Sequence, residues 1–223
     1  MPLLELSFNE ILQALEPAFW ETLTMVGNSS VATVLLGLPL GVVLFTTQRG
    51  GLMANPVLSV ALSAIANITR SIPYAILMLS LIPFTRWLVG SAVGPQAACV
   101  SLTIGAVPFF ARLVESALRD VHSGKVDAAH AMGSTRMQTI TKVLLPEAAP
   151  SLVAAVTTTV VTLVGYSAMA GLIGGGGLGR LAYNYGYQRF EPTVQLVTIA
   201  ILVGMVQLIQ MLGDVVIRYV DHR

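Results

Sequence analysis

The sequence predicts an all-α, polytopic membrane protein with five transmembrane helices. Three observations predict it. Only 10% of the 223 residues are charged, against about 25% in soluble domains. The mean hydropathy is +0.78. The charges are also missing in blocks: residues 22–48, 87–111, 148–179 and 192–213 hold no Asp, Glu, Lys or Arg, and Arg70 alone divides 50–69 from 71–85. A hydrocarbon core of about 30 Å needs about 20 apolar residues as a helix. A soluble helical core has no use for so many uncharged stretches of that length.

Each element follows from its own residues. In the first 19, Leu4, Phe8, Ile11, Leu12 and Leu15 fall on one helical face, which predicts an amphipathic helix lying on the membrane surface. Glu5 and Glu10 stand where a cleavable signal would carry basic residues, so none is expected. The spans are expected at about 20–46, 58–88, 96–118, 148–170 and 193–219. Pro73 should kink the second, because proline removes a helix hydrogen bond. Pro108 lies inside the third. Cys99, the one cysteine, falls in an apolar block and is expected to pack as a small hydrophobe.

Five spans place the termini on opposite sides. With the segment after the third span in the cytoplasm, that side holds Arg49, Arg112, Arg119, Lys125, Arg136, Lys142, Arg218 and Arg223; the other holds Arg86, Arg180 and Arg189. The Lys/Arg bias favours this orientation, with a periplasmic N-terminus and a cytoplasmic C-terminus. Arg70 is left out of the comparison as a mid-span residue. A charge there should face protein, water or a lipid headgroup, and it is a candidate pathway residue.

Residues 122–146 form a polar insert between two apolar spans. Val126–Met132 reads as a short Ala-rich helix. Gly133 permits a tight turn and the close approach of another backbone. Arg136–Lys142 reads as a second helical stretch, and Pro146 is expected in the first turn of the fourth span. A short helix presented on a loop can dock in a partner's groove; a solvated linker is the alternative. The spacing resembles the EAA loop of ATP-binding-cassette (ABC) importer permeases: Asp127-Ala128-Ala129, three residues ending in Met132, Gly133, nine residues, then Val143-Leu144-Leu145-Pro146. Asp replaces Glu and Val replaces Ile in that pattern.

Further strings are similar to the permease subunits of bacterial D/L-methionine importers, over about residues 20–219: Asn67-Ile68-Thr69-Arg70-Ser71-Ile72-Pro73, Thr162 through Met169, the glycine run with Leu178-Gly179, and Tyr183-Asn184-Tyr185-Gly186-Tyr187. The resemblance implies the transmembrane domain of a type I ABC importer in the bacterial inner membrane, moving methionine by alternating access. It implies a homodimer of this subunit, two separate ATPase subunits and a periplasmic methionine-binding protein, often a lipoprotein. Asp127, Ala128, Ala129, Met132, Gly133, Leu145 and Pro146 would couple to the ATPase. Tyr166, Ser167, Met169 and Arg70 would line or gate the pathway, ordinary helix packing being the alternative for the first three.

No catalytic residue is expected. The Gly174–Gly177 run has no Lys after it, so it is no phosphate loop. ATP and Mg are expected on the partner ATPase, and no cofactor on this chain. His122, His130 and His222 lack metal-ligand spacing. No basic run points to nucleic acid. Arg112, Glu115 and Arg119 are spaced as an i,i+3 and i,i+4 salt-bridge ladder. A permease for another small amino acid or nutrient is the nearest alternative function. An ion-coupled secondary transporter is a different class, which usually carries acidic residues deep in its spans and internal repeats; neither is found here.

Overall fold

The computed structural model describes residues 8–221, and every regular element among them is helical. By length and composition four stretches can cross a bilayer: Ile11–Thr46, Pro95–Arg119, Ala149–Gly175 and Pro192–Val220. A fifth qualifies if the bent pair Pro56–Ser71 and Tyr74–Ser80 is one span.

Helix α1 runs without a break over Phe8–Thr46. At 1.5 Å per residue it extends about 58 Å, nearly twice a bilayer core. The expected boundary at residue 19 between a surface helix and the first span is therefore not present as a break. Ile11, Leu15 and Ala18 pack against Leu178, Leu181, Val194 and Met205. Of the predicted apolar face, Ile11 and Leu15 are therefore covered by protein, while Leu12 stays 48% exposed. Leu4, the side chain of Phe8, His222 and Arg223 lie outside the described residues.

The second expected span is divided into three. Asn55 starts α2 (Pro56–Ser71) by accepting the Leu58 N–H at 3.1 Å. Ile72 is extended and Pro73 precedes α3 (Tyr74–Ser80). A residue before proline is pushed out of the helical region by the proline ring, so Pro73 ends α2 where a kink was expected. This moves Arg70 from mid-span to the last turn of α2, where a cation complements the exposed carbonyls. Helix α4 (Ile82–Val89) carries Pro83 in its first turn and stops at left-handed Gly90. Helix α5 (Pro95–Arg119) continues through Pro108. Then come α6 (Ser123–Ala131), α7 (Arg136–Thr139), a π turn (Ile140–Leu144), α8 (Leu145–Glu147), α9 (Ala149–Ala170), α10 (Gly177–Leu181) and α11 (Pro192–Val220).

The chain divides into two compact units, and the four long helices contribute to both. The first comprises residues 1–32, 73–104 and 160–209. Its core includes the cluster around Ile11 and Leu178. The second comprises 33–72, 105–159 and 210–223, with Phe110, Val114, Leu118, Ile140 and Leu144 at its centre. Within it, Gly37 and Gly41 let α1 meet α5 closely. A Cβ on Gly41 would lie 2.5 Å from the Val114 Cβ, and one on Gly37 2.8 Å from the Phe110 ring. Small residues four apart are what allow membrane helices such an approach.

Candidate functional site

The coupling candidates belong to the second unit. His122 accepts the Gly124 N–H on Nδ1 at 3.1 Å and so caps α6. Asp127 and Ala128 are exposed, while Ala129 is buried. After α6 the chain reverses at Gly133, whose φ is +80°. The Gly133 N–H reaches His130 O at 2.9 Å and the Ser134 N–H reaches Ala129 O at 3.0 Å. These bonds satisfy carbonyls that a helix end leaves open. Thr135 and Gln138 then form a reciprocal capping box for α7. Met132 and Met137 flank the turn with 79% and 64% of their surface exposed. The result is a short, doubly capped knob with soft apolar groups at its tip, suited to a groove on another protein.

Pro146 is not in the first turn of the fourth span as expected. It lies in α8, directly after the π turn Ile140–Leu144. Leu145 N–H reaches back to Ile140 O, one residue further than in an α-helix. The wider turn makes room for the proline ring, which clashes with the carbonyl four residues before it in a regular helix. Leu145 is half-buried and Pro146 exposed. Ile140 and Leu144 anchor this stretch in the unit's core. Lys125 on α6 is ion-paired with Glu147, so the knob is fastened at both ends.

The Arg112, Glu115 and Arg119 ladder is a larger structure than its spacing indicates. The Glu115 side chain is only 6% exposed. It accepts from Arg112 Nη1 at 2.6 Å, Arg119 Nη2 at 2.7 Å and Gln48 Nε2 at 2.6 Å. Arg112 Nη2 also donates to Ser63 O and Asn67 Oδ1, both at 3.1 Å. One carboxylate thus ties the turn after α1 and, through Arg112, helix α2 to α5. Sequence spacing found the ladder but not Gln48, Ser63 or Asn67, which lie 45 to 67 residues away.

Tyr166, Ser167 and Met169 belong to the first unit. The half-buried Tyr166 ring stacks on Tyr74, with centroids 4.5 Å apart and planes 3° from parallel. The Tyr74 hydroxyl is 3.2 Å from Ser101 Oγ. Met169 is 39% exposed. Ser167 does not fit a pathway surface: it is 1% exposed, and its hydroxyl donates to Val164 O at 2.7 Å. Arg70 is exposed and lies in the other unit. Tyr74 was not singled out from sequence, where it reads only as the residue after a helix-breaking proline.

Among the described residues, no group of three or more His, Cys, Asp or Glu could hold a metal ion. A cavity of about 450 Å³ lies in the first unit, lined by Thr24, Asn28, Ser91, Gln96 and Cys99 among others. Cys99 is half-buried, with its sulfur 3.8 Å from Met25 O.

Residues 37–223 match the family of binding-protein-dependent transport system inner membrane components. The chain is 51% identical to the probable D-methionine transport system permease protein MetI of Vibrio cholerae, over 98% of this chain and all of that one. It is 43% identical to the methionine import system permease protein MetP of Bacillus subtilis, over 96% and 97% of the two chains. Among solved structures, a chain of the MetNI methionine ABC transporter in an inward-facing conformation matches with a TM-score of 0.95 and 48% identity, covering 97% of this chain and all of that one.

Proposed function

The chain belongs to the family of binding-protein-dependent transport system inner membrane components, and on that premise we propose that it is the membrane-spanning permease subunit of an ATP-driven methionine importer. The observation that carries this reading is the exposed, doubly capped turn at Gly133, set in a chain otherwise built of membrane-length helices. Such a knob gives a soluble ATPase something rigid to push on. The substrate follows from the relatives, which are named as methionine permeases across nearly the whole chain.

Two copies of the chain form the pathway, two ATPase subunits carry ATP and Mg, and a periplasmic binding protein delivers methionine. The chain itself performs no hydrolysis. The Lys/Arg bias orients the Gly133 knob toward the cytoplasm. The MetNI relative is inward facing; in that state of an alternating-access transporter the outer end of the pathway is shut. Tyr166 and Met169 form part of the pathway surface, Tyr166 as an aromatic wall and Met169 as a soft contact for a thioether.

The test is uptake of labelled methionine by proteoliposomes holding the full complex with its ATPase and binding protein. ATP-dependent uptake, inhibited by unlabelled methionine, is the expected result. Uptake of another amino acid in its place would overturn the substrate, and uptake driven by an ion gradient without ATP would overturn the class.

A further inference from the structure

The glycine-rich segment after α9 is held down by two side chains of α1, all within the first unit. Gly174, Gly176 and Gly177 have φ of +100°, +91° and +73°, a conformation open to glycine and strained for other residues. They turn the chain back on the end of α9. A Cβ on Gly171 would lie 2.5 Å from Arg180 N, and one on Gly179 would collide with Ala168 O. The segment therefore packs backbone against backbone beside Ala168 and Ala170. The fold-back leaves amides at its turn without helical partners, and α1 supplies the acceptors. Glu21 Oε2 accepts from Gly177 N at 2.6 Å, and Thr22 Oγ1 accepts from Leu178 N at 2.8 Å while donating to Ala18 O at 2.9 Å. A third tie runs from Gly94 N to Gly174 O at 2.9 Å. Thr22 is 2% exposed and Leu178 is fully buried.

We propose that Glu21 and Thr22 are positioning residues of the outer gate: by holding Gly177 and Leu178, they keep the glycine segment folded over the end of α9 and so keep Tyr166 and Met169 in the closed arrangement. The proposal rests on the reading that the end of α9 lines the pathway near its outer side. Neither residue touches the solute. Their contribution is to a seal, so it appears as leak and not as substrate affinity.

The experiment loads proteoliposomes holding the full complex with labelled methionine and follows efflux without ATP. Removing one hydrogen bond to a charged acceptor shifts the fold-back equilibrium by about tenfold or more. Glu21→Ala should raise efflux by about that factor, and Thr22→Val, which leaves the buried Leu178 N–H without its neutral acceptor, by about fivefold or more. Thr22→Ser, which keeps the hydroxyl acceptor, should stay within about twofold of the parent, and Glu21→Gln, which keeps an acceptor but not its charge, should leak less than Glu21→Ala. Amide hydrogen exchange at Gly177 and Leu178 should rise only in the leaky variants. Thr22→Val keeps the shape of threonine, so it decides the matter where Glu21→Ala does not assemble. An assembled Thr22→Val complex as tight as the parent overturns the proposal, as does equal leak from the Gln and Ser variants. ATP-driven uptake by the parent is measured alongside. Its absence defeats the methionine-import reading, whereas normal uptake with tight variants defeats the clamp alone.

Discussion

Gly133 permits a test in which backbone and surface effects separate. Its φ is +80°, and a Cβ built on it meets no heavy atom within 4 Å. An added Cβ therefore costs the chain itself only backbone strain. That cost is about 1–2 kcal/mol for an ordinary L-residue, and less for Asn, which visits the left-handed region more readily. Three variants follow. Gly133→Asn should keep the turn and coupling close to the parent's. Gly133→Ala should weaken the turn by about 1 kcal/mol or more, lowering assembly slightly while each assembled complex still couples. Gly133→Trp carries the strain of Ala plus bulk on an exposed turn, where a docked partner would meet it, and overpacking a close-fitting contact costs about 1–3 kcal/mol. The assay is ATP hydrolysed per methionine imported in proteoliposomes. The ratio should rise about tenfold for Trp and stay near the parent value for Ala and Asn. Equal ratios for Trp and Ala would exclude a partner seated at Gly133, because the added bulk would then have met nothing.

Two other perturbations bear on the chain's interior. Glu115→Ala leaves the mostly buried Arg112 guanidinium without its carboxylate, a loss of about 3–5 kcal/mol. It should lower the melting temperature of the purified complex by about 6–20 °C, while Arg119→Ala, with its side chain 60% exposed, costs less than about 1 kcal/mol; similar melting shifts for the two would contradict the hub. Tyr74→Ala removes the stacked support of Tyr166, worth about 0.5–1.5 kcal/mol beyond burial. It should impair uptake as Tyr166→Ala and Met169→Ala do, with assembly intact, while Tyr74→Phe keeps the ring and transports; unchanged uptake in all three Ala variants would remove these residues from the pathway.

What was legible in the sequence was what is encoded locally. Span-length apolar blocks and the Asp127–Pro146 spacing lie within single stretches, and each can be read without knowing what packs against it. Proline shows the limit of that reading. Pro73 was expected to kink a helix and instead ends one, since Ile72 adopts the extended conformation that a following proline favours. Pro108 sits inside α5 without ending it, and Pro146 is accommodated by a π turn. The same residue type has three outcomes, decided by packing that a local pattern does not contain. The amphipathic face of Ile11 and Leu15 is similar: periodicity says that it must be covered, but lipid and Leu178 satisfy it equally well.

Apart from the local caps of the Gly133 turn, the contacts that hold the functional segments are long-range, and a local pattern does not contain them. Glu115 finds Gln48, Tyr166 finds Tyr74, and Gly177 finds Glu21, across 67, 92 and 156 residues. Each partner is an ordinary residue type in an ordinary helical position. The stacked Tyr74 ring supports the last turns of one uninterrupted helix. Helix α9 begins two residues after Glu147, which Lys125 ties to the knob's first helix, and its last turns carry Tyr166 and Met169. If a displacement of the Gly133 knob travels along α9, it passes through one helix of 22 residues, Ala149–Ala170, that holds Gly165 but no break. On this argument coupling should fail when α9 is broken within its length, for example by proline at Thr158, even if Gly133 and Tyr166 are untouched. A Thr158→Pro complex that assembles and imports at the parent's ratio of methionine to ATP would show that force takes another route.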